Sequence, residues 1–399
     1  MELLDWRREL AGGDVRLKAR IRRAGQQRPE ELYVAVPERH GELVADEVES
    51  LVPALLVPCM QAGEPLVIPD EVSPRLLAGA EAAQQVLRSW YPALSRVEIR
   101  ARARPEPPRP SARGCAAFFS GGVDSFYTAL GSLDGTIHEP RLTHLLYVRA
   151  FGLPIEQGGD VDRTQADMEA IARELGLELV PISTDLTSHF PIKWDAHYHG
   201  AAMASVALAL SRGIGRVLVS ASFFYPDLIP WGSHPLLDPL WSTEWLEVRH
   251  VGAEARRSDK LKVLARSALA LRSLNVCLAH GNRGGPANCG RCTKCVRTMV
   301  ALEILGLLDR TPRFPARLPA GFAGVLARDK PECREELLCL AREMGAASGR
   351  LASVLESLQR RLRRRQALRA LIETLPALRP LLVLFDGLRR RRSRQAIRW

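Results

Sequence analysis

Six consecutive residues, Ser120-Gly-Gly-Val-Asp-Ser125, have the make-up of an anion cradle. Gly121 and Gly122 let the backbone approach an oxyanion with no Cβ in the way, and Ser120 and Ser125 add hydroxyl donors. The apolar run 115–119 before them reads as a strand, and 124–130 after them as a helix. The amides of a helix N-terminus would therefore face the same anion. This is chemistry for a phosphate or pyrophosphate. Asp124 would repel phosphate unless it holds Mg²⁺ or a donor group, which gives it a metal-mediated role. An ordinary βα turn with a capping serine is the alternative. The loop lacks the lysine of a GxxxxGK[ST] P-loop, and its glycines are not spaced as GxGxxG, so those two nucleotide motifs are excluded.

A second cluster is cysteine. Cys277, Cys289, Cys292 and Cys295 follow C-x11-C-x2-C-x2-C, while Cys59, Cys115, Cys333 and Cys339 are scattered, which is no disulfide framework. Four thiolates complete the tetrahedral shell of a structural Zn²⁺ and leave no position open for catalysis. An iron–sulfur cluster is the rival occupant.

A third group follows the strand at 216–222. The loop 223–241 mixes aromatics and prolines with Asp227, Ser233, His234 and Asp238, the composition of a small-molecule pocket; a solvated loop is the alternative. In Arg256-Arg-Ser-Asp-Lys-Leu-Lys262, Arg257 can fork onto a carboxylate or phosphate. Lys260, at a helix start, can neutralise a polyphosphate. Solvated helix charges are the alternative. His197 and His199 diverge at i, i+2 on a helix, so they are not expected to share a metal.

Ser-Gly-Gly-Val-Asp-Ser after a first strand resembles the PP-loop of the N-type ATP pyrophosphatases. The cysteine pattern near the end of that region is similar to the zinc site of the 7-cyano-7-deazaguanine synthase family, matching its four ligands one by one. Lys260 matches the lysine that starts a corresponding helix there. The resemblance covers residues 114–300. It departs in the longer gap after Cys277, in Tyr147-Val-Arg-Ala-Phe-Gly152 where that family has Asp-Tyr-Gly-Gln, and in His197-Tyr-His-Gly where it has Arg-Asn. It therefore implies a relative with a different substrate. What it implies chemically is an AMP-forming, C–N ligase-type enzyme using ATP, Mg²⁺ and Zn²⁺. ATP is cleaved between its α and β phosphates, a carboxylate or amide oxygen is adenylated, and a nitrogen nucleophile displaces AMP to leave an amide or nitrile. Ser120, Gly121, Gly122, Asp124 and Ser125 would hold the nucleotide; Asp124, Ser125 and Lys260 would be catalytic. Asp227, Ser233, His234, Asp238 and Arg257 are the substrate candidates. A tRNA-thiolating enzyme and a non-catalytic nucleotide-binding module are the alternatives.

These residues need a scaffold. From residue 114 the strand-like runs at 115–119, 142–148, 178–182 and 216–220 alternate with helical stretches at 124–130, 162–175 and 198–212. The pattern predicts an α/β fold with a parallel, doubly wound sheet, similar to the adenine nucleotide alpha hydrolases. Before it, 15–21 and 32–36 alternate with period two and 74–90 is helical. The proline-rich 104–110 ends that N-terminal α+β segment. The expected domains are 1–112, 113–308 with the cysteines and a helix at 298–307, and a helical, Arg-rich 309–399.

The 399 residues, 46% apolar and 25% charged, exclude wholesale disorder. The net charge of +11 matches that of residues 360–399 alone, where thirteen arginines face Glu373 and Asp386. A polyanionic partner, whether RNA or an acidic surface, is therefore expected only at the tail. No run reaches 18 apolar residues and no signal-like segment opens the chain, so a cytoplasmic protein is expected. The expected partners are a small-molecule acceptor, an amidotransferase or other ammonia source, and a second copy in a homodimer.

Overall fold

The computed structural model describes residues 1–105, 114–149, 158–277, 287–345 and part of 351–367. Most of the proline-rich 104–110 and nearly all of the Arg-rich tail lie outside the described residues. The chain divides into two compact units, Met1–Asn288 with Arg310–Arg313, and Cys289–Asp309 with the residues from Phe314 onward. Among the described residues no helix is long and apolar enough to cross a membrane.

The first unit is α/β, built on one mixed, mostly parallel sheet. Its strands are β1 (Glu2–Ala11), β2 (Asp14–Arg22), β3 (Glu30–Pro37), β4 (Leu66–Val72), β5 (Ile99–Ala103), β6 (Gly114–Phe118), β7 (His144–Val148), β8 (Glu178–Thr184), β9 (Ile214–Ser220) and β10 (Glu247–Val251), in the order β10-β9-β6-β7-β8-β3-β2-β1-β4-β5. Its helices are α1 (Leu51–Ala62), α2 (Pro74–Trp90), α3 (Val123–Asp134), α4 (Gly158–Leu175), α5 (Leu186–His189), α6 (His199–Ala209), α7 (Arg257–Leu264) and α8 (Ala268–Ser273). The strands from β6 onward pair in parallel. Val217, Leu218 and Val219 of β9 are all buried, as are Leu145 and Leu146 of β7, the unbroken apolar pattern of strands covered on both faces. In β2, by contrast, only Val15, Leu17, Ala19 and Ile21 turn inward, as its alternation predicts.

β3 lies antiparallel to β8 through only two register pairs, Val34 with Thr184 and Ala35 with Ser183. Side chains extend this seam. The Thr184 hydroxyl donates to Tyr33 O (2.7 Å), and Tyr33 N donates to Asp185 Oδ1 (2.9 Å). His189 Nε2 lies 2.8 Å from the other Asp185 oxygen, and its Nδ1 is 3.6 Å from Glu30. The N-terminal segment and the parallel strands thus form one continuous sheet.

Helix α1 carries Pro53 in its first turn, where no backbone donor is needed, and Pro58 in its interior. Pro58 has no N–H for Ala54 O, four residues earlier. That carbonyl instead accepts from the hydroxyl of Tyr198, at 2.7 Å, and Tyr198 is fully buried. Every residue from Leu51 to Met60 is buried, so packing compensates for the lost helical bond.

In the second unit α9 (Thr293–Ile304) packs with α10 (Phe322–Arg328) and α11 (Pro331–Glu343). α9 begins five residues before the expected 298, because Cys292 caps it: its sulfur accepts from Cys295 N.

Two outcomes follow from these contacts. Tyr198→Phe leaves Ala54 O buried without a donor and should cost about 1–3 kcal/mol in chemical denaturation; an unchanged midpoint would show that the hydroxyl is not needed. Hydrogen bonding to Asp185 raises the His189 pKa, against the opposing effect of burial. A raised folded value means the stabilisation is complete below the unfolded pKa of about 6.5 and fades as pH rises through the folded one. His189→Gln should therefore destabilise the protein more below about pH 6.5 than at about pH 8.5. A deficit independent of pH would contradict this.

Candidate functional site

The turn leaving β6 is shaped by its own residues. Gly121 sits at φ +71°, in the left-handed region, and a Cβ there would come within 3.0 Å of Met168 Cε. Gly122 is extended and caps α3. The Ser125 hydroxyl donates to Gly122 O (3.1 Å) and accepts from Ser120 N (3.3 Å), so it holds the loop closed. Ser120 is exposed. The amides of Gly121, Gly122, Val123 and Asp124 have no backbone acceptor among the described residues. They are the orphan donors of a helix start, with the positive end of the α3 dipole behind them.

Asp124, in the first turn of α3, faces two cations from the start of α7. Arg257 Nη1 is 2.7 Å from Oδ2, and Lys260 Nζ is 3.0 Å from Oδ1. Lys260 also donates to Ala221 O (2.7 Å), just past the end of β9. Burial by itself would raise the Asp124 carboxyl, but Lys260 and then Arg257 hold it down at about 2. It is therefore a fixed anion at neutral pH. These contacts lie at the carboxyl ends of β6 and β9, where strands are added first on one side of β6 and then on the other, the crevice where open α/β sheets bind ligands.

The loop is braced from behind by a segment that sequence reasoning missed. Asn275 N donates to Gly121 O (2.8 Å). Two residues on, Cys277 N donates to Asn288 Oδ1 (3.2 Å), which also takes Val276 N (2.8 Å), while Asn288 Nδ2 donates to Leu274 O (2.9 Å) and Arg313 O (3.2 Å). A wholly buried asparagine with these four partners is a clasp, and no local pattern around residue 288 announces it.

Cys277, Cys289, Cys292 and Cys295 have their sulfurs within 4.8 Å of one another, and the group could hold a metal ion such as zinc. The 3.8 Å between the sulfurs of Cys289 and Cys295 is the edge expected of a tetrahedron with metal–sulfur bonds of about 2.3 Å. Backbone amides already point at the sulfurs: Arg291 N and Cys292 N at Cys289, Cys295 N at Cys292. Gly290, at φ +65°, makes that turn, and a Cβ there would meet Pro315.

Of the other pocket candidates, Ser233, His234 and Asp238 are engaged with one another. Asp238 is buried and accepts from the Ser233 hydroxyl (2.7 Å) and His234 N (3.3 Å), with His250 Nδ1 at 2.7 Å. His234 is also buried, edge-on to Trp90. Asp227 is exposed on a short 3-10 turn. Arg257 is the member that reaches the glycine loop. His197 packs on the Tyr91 ring and His199 lies between Trp194 and Trp231, so the two histidines do diverge.

No family model matches the chain, and no curated protein does. One solved structure is similar at 13% identity and a TM-score of 0.21, covering 81% of this chain and 55% of its own: a type III CRISPR defence DNA nuclease activated by cyclic oligoadenylate. A likeness that weak carries no argument.

Elemental analysis of the purified protein should find one zinc per chain. Removing it by chelation or by Cys292→Ala should forfeit on the order of 10 kcal/mol of metal-linked folding energy. Asn288→Ala, which frees the Cys277 backbone, should weaken metal affinity about 10- to 100-fold. Iron with a visible absorption band in anaerobically prepared protein would contradict this reading.

Proposed function

We propose that this chain is an ATP-dependent, AMP- and pyrophosphate-forming enzyme of the PP-loop class. It adenylates a carboxylate or amide oxygen of a small molecule for attack by a nitrogen nucleophile. The observation that carries the reading is the pairing of Asp124 with Lys260 and Arg257 directly beside a glycine loop whose amides are open. A helix start, two cations and a carboxylate held ionised suit a polyphosphate with its divalent cation better than any neutral ligand. Supporting it, the parallel strands read in space as third, second, first, fourth and fifth of their region, the order of doubly wound nucleotide-binding sheets.

In this account Gly121, Gly122 and Val123 donate to the β and γ phosphates, and Ser125 keeps the loop in shape. Asp124 would hold Mg²⁺, which supplies charge neutralisation when bound. The acceptor oxygen attacks the α-phosphorus, and the bond from that phosphorus to the bridging oxygen breaks. Its electron pair leaves with pyrophosphate, whose growing charge Lys260 and Arg257 meet. A nitrogen nucleophile then attacks the activated carbon, AMP departs, and the nitrogen releases its proton to solvent. The cysteine group, as a closed zinc site, would support the fold and take no part in these steps.

With Mg·ATP, ammonium and a panel of small carboxylic acids, the protein should form AMP and pyrophosphate in equal amounts and no ADP. Asp124→Asn should lower that rate about 100-fold, close to 3 kcal/mol of transition-state stabilisation, when assayed where the variant is still folded, and it should also lower the melting temperature because buried Lys260 loses its anion. Accumulation of ADP, or normal turnover by Asp124→Asn, would contradict the assignment.

A further inference from the structure

Lys260 is 2% exposed, and an ammonium so enclosed needs each of its protons directed. Two have partners, Asp124 Oδ1 at 3.0 Å and Ala221 O at 2.7 Å. On its remaining flank the ammonium stands 5.6 Å from the centroid of the Tyr127 ring, within cation–π range. Tyr127 lies one turn after Asp124 on the same helix, so a single element carries both the anion and the aromatic face that receive the lysine.

Two further residues hold this arrangement. The Tyr127 hydroxyl donates to Glu254 Oε1 at 2.9 Å, which fixes the plane of the ring. Gly252, at φ +86°, turns the chain after β10. A Cβ at Gly252 would come 3.3 Å from Tyr127 Cδ1 and 3.6 Å from Lys260 Nζ, so any other residue would be strained in its backbone and crowded against both groups.

We propose that Tyr127 is a positioning residue: its ring, pinned by Glu254 and admitted by Gly252, holds the Lys260 ammonium against Asp124 and so keeps that carboxylate in place beside the loop where a phosphate would bind. The phosphate half of this statement rests on the nucleotide reading above; the contact between ring and ammonium does not. Without the ring, Lys260 gains rotamers that leave Asp124, and the cost appears as weaker nucleotide binding. Tyr127→Phe keeps the aromatic face and loses only the anchor to Glu254.

The test uses the full chain and two readouts. Titration calorimetry with Mg·ATP alone should give Tyr127→Leu a Kd about tenfold weaker than wild type, equivalent to about 1.4 kcal/mol. Tyr127→Phe should stay within about threefold. In protein carrying ¹³C-lysine, the Lys260 ε-methylene protons should show a ring-current upfield shift that Phe preserves and Leu abolishes. Binding by the Leu variant at wild-type affinity, or failure of Phe to rescue, would overturn the proposal, as would a Lys260 signal that ignores both substitutions. If wild type binds no Mg·ATP, the nucleotide reading fails, and the Lys260 signal still decides whether Tyr127 positions the lysine.

Discussion

A half-buried carboxylate between two cations organises this molecule. Asp124 belongs to the helix that follows β6, and Lys260 and Arg257 to the helix that follows β10, while the second acceptor of Lys260 lies at the end of β9. One charge cluster therefore ties together three strand ends and two helix starts. Each of these groups is expensive to bury alone, so each constrains the others. Asp124 is also the natural anion for the positive end of α3, and in return it draws two cations to the place where open amides already point. The outcome is a site with fixed charges of both signs and little freedom to reorganise, the preorganisation that the proposed phosphate chemistry would use.

The scaffold around this cluster is kept in register by substitutions of one hydrogen bond for another. Pro58 removes a helical donor and Tyr198 supplies one. The short β3–β8 ladder ends, and Thr184 and Asp185 continue it with side chains. Asn275 takes the free carbonyl of Gly121, and Asn288 fixes the same segment two residues on. In each case a buried backbone group that would otherwise be orphaned finds a partner distant in sequence.

That distance explains what could be read from the sequence. The glycine loop and the cysteine run are contiguous, so their residue types and spacing display their chemistry directly, and the alternation of β2 and the apolar runs of β6 to β9 give their strands away. Helix α1 is harder to read because Pro53 and Pro58 interrupt it, and burial on all sides leaves no polar face to reveal a period. β1 carries acids that pair with arginines of β2 across the sheet surface, and β5 has two arginines in its five residues; both mask the strand pattern. Ser233, His234 and Asp238 show the opposite effect: their types suggest a pocket, yet hydrogen bonding commits them to one another and to His250. Tyr127, Gly252, Asn275 and Asn288 act only through contacts that folding creates, and nothing in their local sequence marks them.

The central claim is that the loop after β6 binds the pyrophosphate end of a nucleotide with Asp124, Lys260 and Arg257 around it. A crystal structure with Mg²⁺ and a non-hydrolysable ATP analogue tests this most directly. The account predicts β and γ phosphates on the amides of Gly121 to Asp124, Arg257 within hydrogen-bond distance of a phosphate oxygen, Lys260 still paired with Asp124 behind them, and the α-phosphorus facing the β9 side of the crevice. An analogue bound elsewhere on the protein, or one with its phosphates turned away from the glycine loop, would contradict it.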